Sequence, residues 1–130
     1  MSLVSTKWLF NNRENVKIID CSWHLPNEKR NSLEEYNSEH IPNAIYFDID
    51  KNSDHNSDLP HMLPSKKDWE EIVSSLGISN DDKIIIYDNS DLISSCRLWY
   101  SFLYFGHNKE LVYVLDGGLK KWKTEKYPVN

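Results

Sequence analysis

Few residues in this chain are of a type that carries covalent chemistry. The 130 residues include two cysteines, Cys21 and Cys96, and these form no C-x-x-C pair. A zinc ribbon and a thioredoxin-type redox site are therefore excluded. The four glycines, of which Gly117 and Gly118 are adjacent, form neither a P-loop nor a G-x-G-x-x-G turn. Nucleotide enzymes built on those two motifs are excluded as well.

Two groups of polar residues imitate metal sites. The run that starts at Asp48 begins like a calcium-binding loop, but Ser53 and Leu59 stand where glycine and a bidentate glutamate are needed. Three histidines lie near carboxylates in the sequence but lack the helical i, i+4 spacing of a zinc site: His24, His55 and His61. We therefore predict that the chain holds no metal and no cofactor.

The overall composition narrows the class of protein further. The net charge is −5, and 27% of the residues are charged against 39% hydrophobic. This balance is typical of a soluble globular domain, and it lacks the basic patch of a nucleic-acid binder. No apolar run approaches the roughly 18 residues that a membrane span requires. The N-terminus has no secretory signal, so we expect a cytoplasmic protein that binds neither nucleic acid nor membrane.

Short apolar runs alternate with segments of helical periodicity. The runs at 16–20, 44–47, 83–87 and 111–115 predict strands, and the third is suited to the centre of a parallel sheet. Helices are predicted to start after Ser5, at Ser32 through a capping box with Glu35, and after Ser65. Two more are expected at 94–105 and 119–125.

This alternation of strands and helices predicts the α/β class, with a parallel sheet flanked by helices on both faces. In such folds, ligands bind at the loops that follow the carboxyl ends of the strands. Those loops are 21–31, 48–64, 88–93 and 116–118. We therefore looked for functional residues in these four segments.

Several motifs in these segments occur together and in order. They are Asp20-Cys21-Ser22-Trp23-His24-Leu25-Pro26, Glu39-His40-Ile41-Pro42-Asn43-Ala44, Phe47-Asp48-Ile49-Asp50, His61-Met62-Leu63-Pro64 and Asp116-Gly117-Gly118-Leu119. The combination resembles the rhodanese domain. It is most similar to the N-terminal domain of two-domain sulfurtransferases that act on 3-mercaptopyruvate or thiosulfate, and it covers nearly the whole chain.

The resemblance implies a site directly after the third predicted strand, where the family places its catalytic cysteine. That thiolate takes the outer sulfur of the donor as a persulfide. Here the position is Asp88, which resembles the non-catalytic N-terminal domains of the family. We expect Asp88 to fill the anion site of this pseudo-active loop, and Arg97 to form an internal ion pair there rather than a substrate clamp. Cys21 and Cys96 are expected to be inert packing residues.

A second implied site lies on the long 48–64 loop. In the 3-mercaptopyruvate branch of the family, residues matching Asp50 and His61 are proposed to relay a proton through a serine beside the catalytic cysteine of the other domain. A histidine oriented by a carboxylate is suited to activating a hydroxyl. Taken without the resemblance, Asp50 and His61 are two polar residues on a solvated loop. His40 is expected to stabilise the turn that contains it.

The expected function follows from these sites. Residues 1–130 are predicted to form the N-terminal domain of a sulfurtransferase, with the catalytic cysteine on a second domain beyond Asn130. That enzyme would move sulfur from 3-mercaptopyruvate or thiosulfate to a thiol or cyanide. The alternative is a stand-alone, non-catalytic module that binds a protein partner or an anion. A cysteine-dependent phosphatase is a more distant possibility, because it needs the cysteine that is missing at Asp88.

Overall fold

The computed structural model describes residues 2–24, 28–53, 63–89 and 93–130. Within these ranges the chain forms one sheet of five strands, all paired in parallel, in the order β1-β5-β4-β2-β3. The strands are β1 (Leu3–Val4), β2 (Lys17–Asp20), β3 (Ile45–Tyr46), β4 (Ile84–Tyr87) and β5 (Val112–Leu115). The α-helices are α1 (Thr6–Asn12), α2 (Ser32–Ser38), α3 (Lys66–Ser75), α4 (Ile93–Tyr104) and α5 (Gly118–Thr124).

Strand β4 lies at the centre of the sheet and is buried on both faces. Its alternate side chains point to opposite sides because successive residues of a strand face opposite ways. Ile84 and Ile86 join a core cluster with Trp69 of α3 and Leu98 of α4. The opposite cluster contains Ile85 and Tyr87 with residues of α1 and α5, namely Leu9, Leu119 and Trp122. The predicted α/β class, with helices on both faces, is confirmed.

The helix starts are set by side-chain caps. The hydroxyls of Ser5 and Ser65 accept hydrogen bonds from the first turns of α1 and α3, as the sequence predicted. The predicted capping box at Ser32 is wrong, because the Asn31 side chain accepts the hydrogen bond from the Glu34 amide instead. Ser32 is the first residue of α2, and its hydroxyl is hydrogen-bonded to the Tyr46 hydroxyl at 2.8 Å.

Two further features of the fold bear on the sequence predictions. Strand β1 was not predicted, yet Leu3 and Val4 pair with Val114 and Leu115 of β5. His40 has the structural role that was expected, since its Nδ1 is hydrogen-bonded to the Tyr36 carbonyl at 2.8 Å. Within the described ranges, no helix has the length and apolar character needed to cross a membrane.

Candidate functional site

Asp88 directly follows β4 and lies under the first turn of α4. Its side chain is 1% exposed. The Oδ2 atom accepts hydrogen bonds from the Ser95 amide at 3.0 Å, the Ser95 hydroxyl at 2.5 Å and the Ser94 hydroxyl at 3.3 Å. These donors, together with the positive end of the helix dipole, stabilise a negative charge at this point. The anion site at the end of the central strand therefore holds the carboxylate of the chain itself.

Cys21 lies beside this carboxylate at the end of β2. The thiol is fully buried, and its Sγ is 3.7 Å from the Tyr87 carbonyl and 4.0 Å from the Ser95 hydroxyl. Burial, with smaller contributions from the charges of Asp88 and Asp20, raises the pKa of this thiol well above its ordinary value. Since the thiolate is the nucleophilic form of cysteine, burial and the raised pKa both disfavour Cys21 as a nucleophile.

The loops after β2 and β4 are joined through Asp20 and Ser22. Asp20 Oδ1 accepts hydrogen bonds from the Ser22 amide at 2.9 Å and from the Ser22 hydroxyl at 2.6 Å. The Ser22 hydroxyl also accepts a hydrogen bond, at 2.7 Å, from the backbone amide of Asn89, the residue after Asp88. Burial is the main cause that raises the pKa of Asp20, and the charge of Asp88 adds to it. Two buried carboxylates thus stand at the ends of neighbouring strands.

Outside this core, the side chains of Glu35, Arg30 and His24 form a polar cluster beside Asn89, which no local sequence pattern indicated. Glu35 accepts two hydrogen bonds from Arg30, at 2.8 and 2.9 Å, and its Oε1 is 2.9 Å from His24 Nε2. Partial burial tends to raise the pKa of Glu35, but the hydrogen bonds from Arg30 and His24 outweigh it and lower that pKa. Arg30 also donates to the Asn89 carbonyl at 3.2 Å. The cluster therefore attaches α2 to the start of the loop that follows β4.

The ion pair expected of Arg97 falls only in part on the described residues. Within them, Arg97 forms no ion pair with Asp88, whose carboxylate accepts hydrogen bonds from Ser94 and Ser95. The other acid of the loop, Asp91, lies outside the described residues, so an internal pair of Arg97 stays a prediction. Arg97 is half-buried and lines a small cavity with Phe47, Ile49 and Trp69, among others. Burial lowers the pKa of Arg97.

Asp50 lies at the turn after β3, at the same edge of the sheet. Its Oδ2 accepts a hydrogen bond from the indole nitrogen of Trp23 at 3.1 Å. The second member of the predicted relay, His61, lies outside the described residues. Sequence reasoning missed the contribution of Trp23, because the residues are 27 positions apart and no local pattern joins them.

The fold and the residues at the carboxyl edge of the sheet define a class of protein. It is a parallel α/β domain whose central strand is followed by a loop that binds a negatively charged group, here the Asp88 carboxylate. The family model described as "Rhodanese-like domain" matches residues 5–125. The chain therefore belongs to the rhodanese-like family.

Proteins with sequences similar to this chain are named as sulfurtransferases. The chain is 46% identical over 98% of its length to the thiosulfate/3-mercaptopyruvate sulfurtransferase 1, mitochondrial, of Arabidopsis thaliana. It is 39% identical over 99% of its length to the 3-mercaptopyruvate sulfurtransferase of Rattus norvegicus. It covers 34% of the length of the first and 46% of the second. The chain therefore corresponds to one domain of these longer proteins.

Solved structures agree with this placement. The crystal structure of SseA from Escherichia coli, described among the 3-mercaptopyruvate sulfotransferases, matches all of this chain and 50% of its own with a TM-score of 0.92 and 35% identity. The Tum1 protein of Saccharomyces cerevisiae matches all of the chain and 44% of its own, with a TM-score of 0.89 and 32% identity. The homology is to the N-terminal half of the 3-mercaptopyruvate and thiosulfate sulfurtransferases.

Proposed function

We propose that this chain is the non-catalytic N-terminal domain of a two-domain sulfurtransferase whose donor is 3-mercaptopyruvate. The observation that carries the proposal is Asp88, a buried carboxylate at the position where the family has its catalytic cysteine. The names of the relatives, and the 34–46% of their length that the chain covers, support the two-domain arrangement.

The chemistry at Asp88 explains why this domain does not turn over substrate by itself. In the proposed reaction a cysteine thiolate attacks the donor sulfur, the C–S bond of 3-mercaptopyruvate breaks, and the sulfur stays on the enzyme as a persulfide. The pyruvate enolate that leaves takes up a proton. A carboxylate forms no such persulfide, and the buried Cys21 thiol has a pKa raised by burial. The nucleophile and the arginines for the donor carboxylate belong to the second domain.

The contribution of this domain is proton handling by Asp50 and His61. Asp50 holds the His61 imidazole in one tautomer, and the imidazole exchanges a proton with a serine beside the catalytic cysteine. Support comes from the place of Asp50 at the carboxyl edge of the sheet, where an opposing domain has access to it. The partners are then the small sulfur donor and a thiol or cyanide acceptor, both bound through the second domain. The cytoplasmic location is part of this proposal.

The first experiment assays the 130-residue chain alone with 3-mercaptopyruvate and with thiosulfate. We expect no sulfur transfer above background, because Asp88 replaces the nucleophile. The matched variants are Cys21→Ala and Cys96→Ala. Activity in the wild-type chain that disappears in either variant would show that this domain carries its own nucleophile.

The second experiment uses the two-domain protein. His61→Ala is expected to slow turnover of 3-mercaptopyruvate by ~10²-fold, the scale for losing a general base. Thiosulfate turnover needs no proton transfer at the donor, so its loss should be much smaller. Asp48→Asn is a control on the same turn as Asp50. Equal losses with both donors would contradict the relay, and no loss with either would favour the stand-alone binding module.

A further inference from the structure

Arg97 of α4 is a cation for which the described part of the chain supplies no counter-charge. Two other cations of that part have carboxylate partners, since Arg30 pairs with Glu35 and Lys123 pairs with Glu39. The Arg97 guanidinium has neither an ion pair nor a hydrogen bond with any residue that the structure describes. Arg97 is half-buried, so water solvates its charge only in part. A partly buried charge without a partner is costly, and an anion beside it would lower that cost.

The pKa values of Arg30 and Arg97 reflect this difference in surroundings. The pKa of Arg30 is raised, chiefly by its hydrogen bonds to Glu35. The pKa of Arg97 is lowered by burial, and no carboxylate of the described residues raises it. A guanidinium stays protonated at neutral pH in either case. Arg97 is therefore a permanent positive charge whose described surroundings lack a compensating acid.

A small cavity adjoins Arg97, between α4, α3 and the turn after β3. Its volume is about 10 Å³, which is the space of roughly one water molecule. The walls are mostly apolar, and they include Phe47, Ile49, Trp69 and Leu98. The cavity therefore admits a single atom or a very small group, and it offers that group few polar contacts besides those of Arg97.

Asn52 supplies a second polar group at the same cavity. It is half-buried there, and its side chain has no hydrogen bond to a described residue. The two hydroxyls in the walls are already engaged, because Ser101 donates to the Arg97 carbonyl at 3.0 Å and Ser53 donates to the Asp50 carbonyl at 2.8 Å. The groups that remain for a ligand are a guanidinium and a side-chain amide, both of which donate hydrogen bonds to an anion.

We propose that Arg97, Asn52 and this cavity form a binding site for one small monovalent anion of the halide class, with chloride as the ligand. The anion accepts hydrogen bonds from the guanidinium and from the Asn52 amide, and it supplies the negative charge that Arg97 lacks. Because the two residues belong to α4 and to the turn after β3, the bound anion links these two elements and stabilises the folded chain. The site does not depend on sulfur transfer.

The cavity also determines which anions can bind. Entry removes water from the anion, and this costs more for a divalent oxyanion than for a monovalent halide. A volume of about 10 Å³ leaves no room for a tetrahedral sulfate. A guanidinium is more weakly hydrated than an ammonium, so it loses less when it pairs beside apolar walls. We therefore expect chloride to bind and sulfate not to bind.

The first test records the Arg97 side chain by NMR in the 130-residue chain, while chloride replaces gluconate at constant ionic strength. The Arg97 Nε–H resonance is assigned by its loss in Arg97→Gln. We expect chloride to shift this resonance and the Asn52 side-chain amide in a saturable way, and sulfate to shift neither. Asn52→Ala should weaken chloride binding about tenfold, the effect of losing one hydrogen bond to a charged group. The control Lys67→Gln removes an exposed charge from α3 and should leave binding unchanged.

The second test measures urea unfolding in the same two salts. At chloride concentrations of about ten times the dissociation constant, the ratio of folded to unfolded molecules should rise about elevenfold. We expect this gain in wild type and in Lys67→Gln, and its loss in Arg97→Gln. An equal gain in Arg97→Gln would reveal a general salt effect and would overturn the site. If Arg97→Gln does not fold, Asn52→Ala serves in its place, with a gain that requires about tenfold more chloride.

Other occupants of the space beside Arg97 give different results. If Asp91 forms the internal ion pair predicted from the sequence, wild type does not respond to chloride and Asp91→Asn acquires the response. If the cavity holds only water, neither protein responds. Either result would overturn the anion site. A response in wild type that Asp91→Asn leaves unchanged would support it.

Discussion

The carboxylate of Asp88 is the feature whose removal should change this domain most. In Asp88→Ala, the Ser95 amide, the Ser95 hydroxyl and the Ser94 hydroxyl lose their common acceptor in a buried site. Leaving the buried Ser95 amide without a partner costs about 1–3 kcal/mol, and losing the short bond from the Ser95 hydroxyl costs about 1 kcal/mol more. The longer bond from the Ser94 hydroxyl adds little. We therefore expect the free energy of unfolding to fall by about 2–4 kcal/mol.

Urea denaturation at pH 7 measures this change. With a slope of about 1–3 kcal/mol per M, the transition midpoint should fall by roughly 1–2 M. Asp88→Asn keeps an acceptor oxygen, so its free energy of unfolding should fall by only about 1 kcal/mol. The matched control is Asp81→Ala, an exposed aspartate in a turn, expected to change stability by less than about 0.5 kcal/mol.

The hydroxyl variants test the same reasoning more finely. Ser95→Ala removes a 2.5 Å hydrogen bond to Asp88, whereas Ser94→Ala removes one of 3.3 Å. The shorter bond to a carboxylate is the stronger, so Ser95→Ala should cost more than Ser94→Ala. An Asp88→Ala variant that loses less than about 1 kcal/mol, or a reversed order of the two serines, would refute the view that Asp88 anchors α4.

Three further outcomes are expected. Asp20 has a pKa raised mainly by burial, so the native state binds its proton more tightly than the unfolded chain does. Wild type should therefore gain stability relative to Asp20→Asn as the pH falls through the raised pKa to the ordinary value of 3.8, by about 1.4 kcal/mol for each unit by which the pKa is raised, measured by urea unfolding. Under native conditions a thiol reagent should label the half-buried Cys96 and leave the fully buried Cys21 unmodified until the chain unfolds. Peptide mapping of the labelled chain identifies the modified cysteine. Labelling of the native Cys96→Ala variant would contradict the protection expected of Cys21. Gly117 has a φ of +85°, and an added Cβ would lie 2.5 Å from the Lys121 side chain. Gly117→Ala should therefore lower the midpoint of thermal unfolding, since the left-handed backbone alone costs about 1–2 kcal/mol of stability in a residue other than glycine. An unchanged midpoint would show that the turn adapts to the added methyl group.

The sequence was sufficient for those parts of the fold that local patterns encode. The run that contains β4 is almost entirely apolar and β-branched, so its central place in a parallel sheet followed directly. Helix ends at Gly77 and Gly106 were predictable as well, since both residues adopt positive φ, which glycine tolerates. Asp88 was placed correctly at the end of β4 because the strand itself was placed correctly.

The remaining features depend on contacts between distant residues, which no local pattern records. Strand β1 has two residues, too few to show an alternation, and it exists because it pairs with β5. Asn31 and Ser32 are both good caps, and the choice between them is consistent with the hydrogen bond between Ser32 and Tyr46.

The pairing of β1 with β5 has a consequence for how the protein folds. These strands join Leu3 to Val114, residues more than a hundred positions apart, at one edge of the sheet. During synthesis the first strand therefore remains without its neighbour until nearly the whole domain has been made, whereas β2 and β3 are joined by a much shorter connection. Parallel pairing across such separations is intrinsically slow. We expect the β1 edge to close last, and a nascent chain that ends before β5 to expose the edge of β4 to other chains.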